Sequence, residues 1–142
     1  MALLGLALPV AADSFTVVLS PLEQSIKSGN TPRFEVVIKT AEQARVLDVV
    51  RRGDLRDKLV KPKIWGGNDL DDLPVSLLPL GPVGDGDYLD LKAGETIRFE
   101  YDGLPLVLSK LGPGSYKLLV RYRADWSSQP VQSNPVTLKV AQ

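Results

Sequence analysis

Three stretches decide the fold class: LKAGETIRFEY at 91–101, LGPGSYKLLVRYR at 111–123 and SNPVTLKV at 133–140. In the first, Leu89 and Leu91 lead into a turn at Lys92-Ala93-Gly94-Glu95, after which Ile97, Phe99 and Tyr101 alternate with Thr96, Arg98 and Glu100. In the second, Tyr116, Leu118, Val120 and Tyr122 alternate with Lys117, Leu119, Arg121 and Arg123. In the third, Val136, Leu138 and Val140 alternate with Thr137 and Lys139. Side chains on a strand change faces at every residue, so each run offers one apolar face to a core and one polar face to water. The reading is all-β.

The rest of the chain follows the same pattern with less clarity. Phe15 to Leu19 reads as a first strand, and Pro21 to Thr31 is rich in turn formers. Phe34, Val36 and Ile38 alternate with Arg33, Glu35 and Lys39, a strong strand signal. Thr40 to Leu59 carries two conflicting patterns. Ala41, Ala44, Leu47 and Val50 have helical spacing, whereas Arg45 to Val50 is rich in strand formers and follows a turn. A helix would interrupt an otherwise all-β chain, so a strand is expected. Leu59 to Trp65 is expected at a sheet edge, because Pro62 has no N–H to give to a ladder. Residues 66–72 and 81–87 read as loops, and Val75 to Leu80, flanked by prolines, as an irregular edge.

Composition bounds the chemistry. The chain has 142 residues, the size of one domain, and 44% of them are hydrophobic. The 11 prolines and 12 glycines fall mostly between the apolar runs, as turns require. Seventeen basic residues balance 17 acidic ones, so the basic excess of a nucleic-acid binder is missing and no such partner is expected. Cysteine and histidine are both absent. That excludes disulfides, thiol nucleophiles, histidine bases, Ser-His-Asp triads and Cys/His metal sites. Only hard cations on oxygen ligands remain open, and no other cofactor is expected.

Met1 to Ala12 reads as part of a secretory signal peptide. Leu3 to Leu8 is apolar, and Val10, Ala11 and Ala12 precede a cleavage point before Asp13. The first Lys or Arg is Lys27, so the basic start of a full signal is missing. The alternative is an ordered first strand. A dozen apolar residues are too few to span a bilayer. The expectation is a periplasmic or secreted protein without a membrane span, its single domain occupying 13–142.

Leu111-Gly112-Pro113-Gly114-Ser115-Tyr116 resembles the tyrosine corner of immunoglobulin-like domains, in which a Tyr hydroxyl bonds back to upstream backbone. With Ser28-Gly29 before one strand, Leu91 to Glu95 before another and Ser133-Asn134-Pro135 before the last, the chain from Gly29 to Val140 is similar to exported bacterial immunoglobulin-like domains of unassigned function. The same elements resemble the BsuPI-type proteinase inhibitors, from which the export-like start departs. The resemblance implies an immunoglobulin-like β-sandwich of seven to eight strands in two antiparallel sheets.

Four groups of residues are candidates for function. Asp69, Asp71 and Asp72 in one loop, and Asp85 and Asp87 in the next, offer carboxylates for calcium, although no EF-hand pattern is present; solvated turns are the alternative. Trp65 and Trp126 each lie beside a turn, and Trp126 with Arg123 and Asp125 can stack on a sugar or anchor a protein; a ring folded over the end of the domain is the alternative. Lys117, Arg121, Arg123 and Lys139 make one outward face basic, as a solvated face or as a surface for an acidic polymer. Paired carboxylates such as Asp71 and Asp85 have no spacing that favours catalysis. The reading is a non-catalytic, exported domain binding a protein or polymer at the cell envelope. Its alternatives are an inhibitor of the BsuPI kind and a purely structural domain.

Overall fold

The computed structural model describes residues 14–65, 70–71, 80–101 and 112–142. The signal-like segment 1–12, Asp69, Asp72 and the run 75–79 lie outside them. The described residues are mostly β, with eleven strands and one short helix. Among them, no helix is long and apolar enough to cross a membrane.

The first sheet has the order β1-β3-β8, formed by Phe15–Pro21, Phe34–Thr40 and Thr96–Tyr101. Both pairings are antiparallel. The register sets Ile38 opposite Ile97, Val36 opposite Phe99 and Phe34 opposite Tyr101. Cross-strand pairs of this kind contribute about 0.2–1 kcal/mol each. The turn into β8 closes on Gly94, whose φ of 85° suits glycine, and its N–H donates to the Thr40 carbonyl at 2.7 Å.

The second sheet has the order β2-β11-β9-β5-β6, from Ser25–Lys27, Val136–Ala141, Gly114–Tyr122, Val60–Trp65 and Leu70–Asp71. Here β10, Val131–Gln132, also pairs with β9. A separate two-stranded ladder joins β4, Ala44–Leu47, to β7, Tyr88–Leu91. Expected alternation is met at Leu118, Val120, Tyr122, Leu138 and Val140, all buried. With Val17, Leu19, Val36, Ile38, Ile97 and Phe99 they belong to a single hydrophobic cluster to which both larger sheets contribute. The Phe15 and Tyr122 rings meet edge to face across it, with centroids 5.8 Å apart.

Three expectations need correction. The sheets are not wholly antiparallel, because β2 runs parallel to β11. Within the segment 40–59, Thr40 ends β3, a second strand covers only Ala44–Leu47, and Gly53–Leu59 forms helix α1. The Asp48 carboxylate breaks the strand by accepting the N–H groups of Val50 (3.2 Å) and Arg51 (2.9 Å), and Leu55 and Leu59, four apart, bury one side of the helix. Finally, β5 is not an edge strand. Its whole length pairs with β9, and Lys63 and Ile64 pair with β6 on the other side. Pro62 is tolerated opposite Val120, at a point where no described residue pairs with it from the β6 side.

Candidate functional site

The outward side of β9 carries Arg121, and Arg123 follows where the strand ends. The β5 register brings Lys61 opposite Arg121 on the same face. The last turn of α1 adds Lys58 and Leu59, and the Arg123 N–H donates to the Leu59 carbonyl at 2.9 Å, tying the helix end to β9. After Ala124 the chain turns sharply, because one oxygen of Asp125 accepts from the backbone N–H and the hydroxyl of both Ser127 and Ser128, each at 2.9 Å. The turn presents Trp126 with 47% of its surface exposed. Trp126 and Pro130 then close a groove of about 370 Å³ lined by Lys58, Lys61, Arg121 and Arg123 over Leu59. None of Lys58, Lys61 and Arg123 is paired with a carboxylate among the described residues.

Of the residues predicted from sequence, Trp126 and Arg123 come together here. Asp125 does not line the groove; it organises the turn beneath the ring. Burial pushes its carboxyl up, and the hydrogen bonds from Ser127 and Ser128 outweigh that and hold it below the usual carboxylate range. The Tyr122 hydroxyl is buried with no hydrogen-bond partner among the described residues, and burial first, then the charge of Asp125, raises its ionisation well above the phenolic norm. Trp65 ends β5 opposite Lys117, away from Trp126 in the register. The sequence reading missed Lys58 and Lys61, which reach the groove through the end of α1 and the pairing of β5 with β9, and Pro130, which reaches it through the turn leading from Trp126 into β10.

Of the five candidate aspartates, Asp71, Asp85 and Asp87 lie among the described residues. Asp71 sits in β6 opposite Lys63. Asp85 is fully exposed, 3.8 Å from Arg45. Asp87 is held by Arg51 at 2.8 Å, Arg52 at 3.1 Å and the Gly84 N–H at 2.9 Å. Arg52, with 14% of its side chain exposed, also pairs with Asp54 and donates to the Pro82 carbonyl at 2.7 Å. Asp54 accepts the Gly81 N–H at 2.9 Å. This clasp fastens segment 81–87 to the start of α1. The Arg52 guanidinium, then the Gly81 N–H, hold the Asp54 carboxyl far below the usual range. The Gly84 N–H, then Arg51 and Arg52, lower Asp87 against the opposing effect of burial. Among the described residues, no group of three or more carboxylates gathers as a cation site would require.

No family model matches the chain, and no curated protein matches it. Among solved structures, a β-glucosidase from Listeria innocua in complex with isofagomine is similar over 90% of this chain and 16% of its own, at 16% identity and a TM-score of 0.46. The same enzyme in complex with glucose gives 17% identity and 0.44 over the same shares. A β-glucosidase from Erythrobacter marinus gives 14% identity and 0.42, over 88% of this chain and 15% of its own. The chain thus spans about a sixth of the length of these enzymes, and likeness at this level assigns it neither fold nor activity.

Proposed function

We propose that this chain is a non-catalytic, exported immunoglobulin-like β-sandwich that binds a polymer chain at the cell envelope through the groove beside Trp126. Three features support the architecture. The first strands, β1 and β2, belong to different sheets, so the chain crosses between them early, as the leading segment of such a sandwich does. The sheet orders β1-β3-β8 and β2-β11-β9-β5 suit two faces closing on the shared core. The Tyr116 hydroxyl donates to the Gly112 carbonyl at 2.8 Å, the bond expected of a tyrosine corner. Export rests on the apolar segment 1–12, which ends in the small residues Val10, Ala11 and Ala12.

The binding reading rests on one observation: a half-exposed Trp fixed by a bonded turn above a groove lined by four cations. An exposed indole is a large apolar surface whose unsatisfied area is best covered by a ligand, and its rigidity keeps the ordering cost low. The groove lies at the small end of the usual range for ligand sites, which suits a few units of a chain rather than a folded partner. No carboxylate is among the described residues that line it.

Screening the full chain on a glycan and polymer array gives the test. Trp126→Ala is expected to weaken the ligand found by about tenfold or more, the loss of an aromatic anchor, with the melting temperature unchanged because the ring is exposed. Unaltered affinity for every ligand retained by the parent protein would remove Trp126 from the binding role.

A further inference from the structure

The backbone beneath the Trp126 groove is already spent. Arg121 and Tyr122 of β9 pair with Lys61 and Val60 of β5 on one side and with Gln132 and Val131 of β10 on the other. The Arg123 N–H goes to the Leu59 carbonyl at 2.9 Å. On β5, the Val60 N–H donates to the Arg56 carbonyl, and Pro62 has no N–H to give. What the groove offers a ligand is therefore side chains: one indole and a set of cations. Arg121 already has a partner, so the charges left open among the described residues are those of Lys58, Lys61 and Arg123. The nearest acid of the turn, Asp125, has one oxygen engaged by Ser127 and Ser128 and does not line the groove. The site is also bounded. On the outward face of β9, Leu119 lies between Arg121 and Lys117 and is buried, so the groove does not continue along the strand.

We infer that the groove takes a single acidic sugar unit, one that carries a carboxylate or a phosphate on its ring. This rests on the reading that the groove is a binding site. The indole of Trp126 covers the C–H face of the sugar, while the ammonium groups of Lys58 and Lys61 and the guanidinium of Arg123 take the anion at its rim. Apolar ring and cations stand side by side here, and such a unit sets an apolar face and a charge side by side in the same way. An acidic peptide is served less well. An extended peptide gains affinity by adding main-chain hydrogen bonds to a free strand edge, and beside this groove the donors of β5 and β9 are taken or missing. At about 370 Å³, closed beyond Arg121, the groove suits one unit and its neighbour rather than a long track.

Titration calorimetry of the full chain tests this with a galacturonate trisaccharide, a phosphorylated mannose trisaccharide, the neutral galactose trisaccharide and tetraglutamate. At least one acidic saccharide should bind, and which one does tells whether carboxylate or phosphate is preferred. The neutral sugar should bind about tenfold more weakly or worse, the loss of a charge-assisted contact. Affinity for the acidic sugar should fall severalfold between about 50 mM and about 200 mM salt. A longer chain of the same sugar should bind no more tightly per unit than the trisaccharide. The double variant Lys58→Gln/Lys61→Gln should cost the acidic sugar about tenfold or more, with the melting temperature unchanged. Acidic and neutral sugars binding equally, or that variant binding the acidic sugar as the parent does, overturns the inference. So does tetraglutamate binding more tightly than both acidic sugars, or neither of them binding. If Trp126→Ala abolishes whatever does bind, the groove stands and only its acidic-sugar specificity falls. If no probe binds and Trp126→Ala changes nothing on the wider array, both readings fall.

Discussion

Tyr116 and Asp125 show how much a single residue can declare about itself. Glycines at 112 and 114 around Pro113 make a tight corner, and the Tyr that follows has its hydroxyl within reach of the Gly112 carbonyl. Tyr116→Phe removes that bond and little else. Its expected cost is about 1 kcal/mol, or roughly 3 °C in melting temperature for a domain of this size, with ligand binding unaffected. Equal melting of the two proteins by calorimetry would show the bond to be without net value. Asp125 was legible in a different sense. Asp125-Trp126-Ser127-Ser128 is a turn signature, and one oxygen of the carboxylate takes the donors of Ser127 and Ser128. The path from that carboxylate to the backbone two and three residues on is short, so the turn was foreseeable where the groove was not.

At the scale of elements, alternation identified β3, β8, β9 and β11 and their buried faces, because period 2 is a local property that a short window contains. What failed was whatever depends on a distant partner. Helix α1 shows only the single spacing Leu55 to Leu59, too little to stand out among strand formers. The place of β5 beside β9 has no local signature, and Pro62 argued against it, so Lys58 and Lys61 went unseen as neighbours of Trp126. Strand β2 is three residues long and is recognisable only beside β11. The connector Ser133-Asn134 was visible as a turn, but its work was not. Ser133 exchanges bonds with Val120 of β9, its N–H donating to the Val120 carbonyl at 2.8 Å and its hydroxyl accepting the Val120 N–H at 3.0 Å. The Asn134 amide accepts the Leu19 N–H at 2.8 Å and donates to the Leu19 carbonyl at 3.0 Å, so it binds β1 as a neighbouring strand would. Asn134→Ala is expected to cost about 1–2 kcal/mol in urea unfolding. Asn134→Asp, which can still accept from Leu19 but not donate, should fall between it and the parent. A loss of less than about 0.5 kcal/mol for Ala would mean that water replaces the amide.

For the whole molecule, charge is organised by region rather than in total. The net of zero argued against a nucleic-acid partner, and the strand register adds Lys27, Lys61 and Lys63 to the face already read as basic at Lys117, Arg121 and Lys139, with Asp71 of β6 opposite Lys63. The clasp of Arg51 and Arg52 with Asp54 and Asp87 carries a pH signature. Both carboxyls are lowered in the folded state, so their contribution is complete above the unfolded carboxylate value of about 4 and declines as pH falls through the folded values. Both guanidinium groups are raised, chiefly by Asp87 and Asp54 respectively, and stay charged throughout that window. The melting temperature should therefore hold from about pH 7 to about pH 5 and drop toward about pH 2. Arg52→Gln should melt lower near neutrality and lose less on acidification. An acid profile identical in parent and variant would show that other groups govern it.

The parallel contact between β2 and β11 has a mechanical consequence. Three residue pairs and the bond from the Ser28 N–H to the Ala141 carbonyl join strands that point the same way. Tension drawing β2 toward its start and β11 toward its end would slide one along the other. All the bonds of the patch would then bear the load together, instead of opening one after another as at a peeled hairpin. Tension applied at both chain ends would load the β1–β3 ladder, whose first strand precedes β2 in the chain, before it reached this seam.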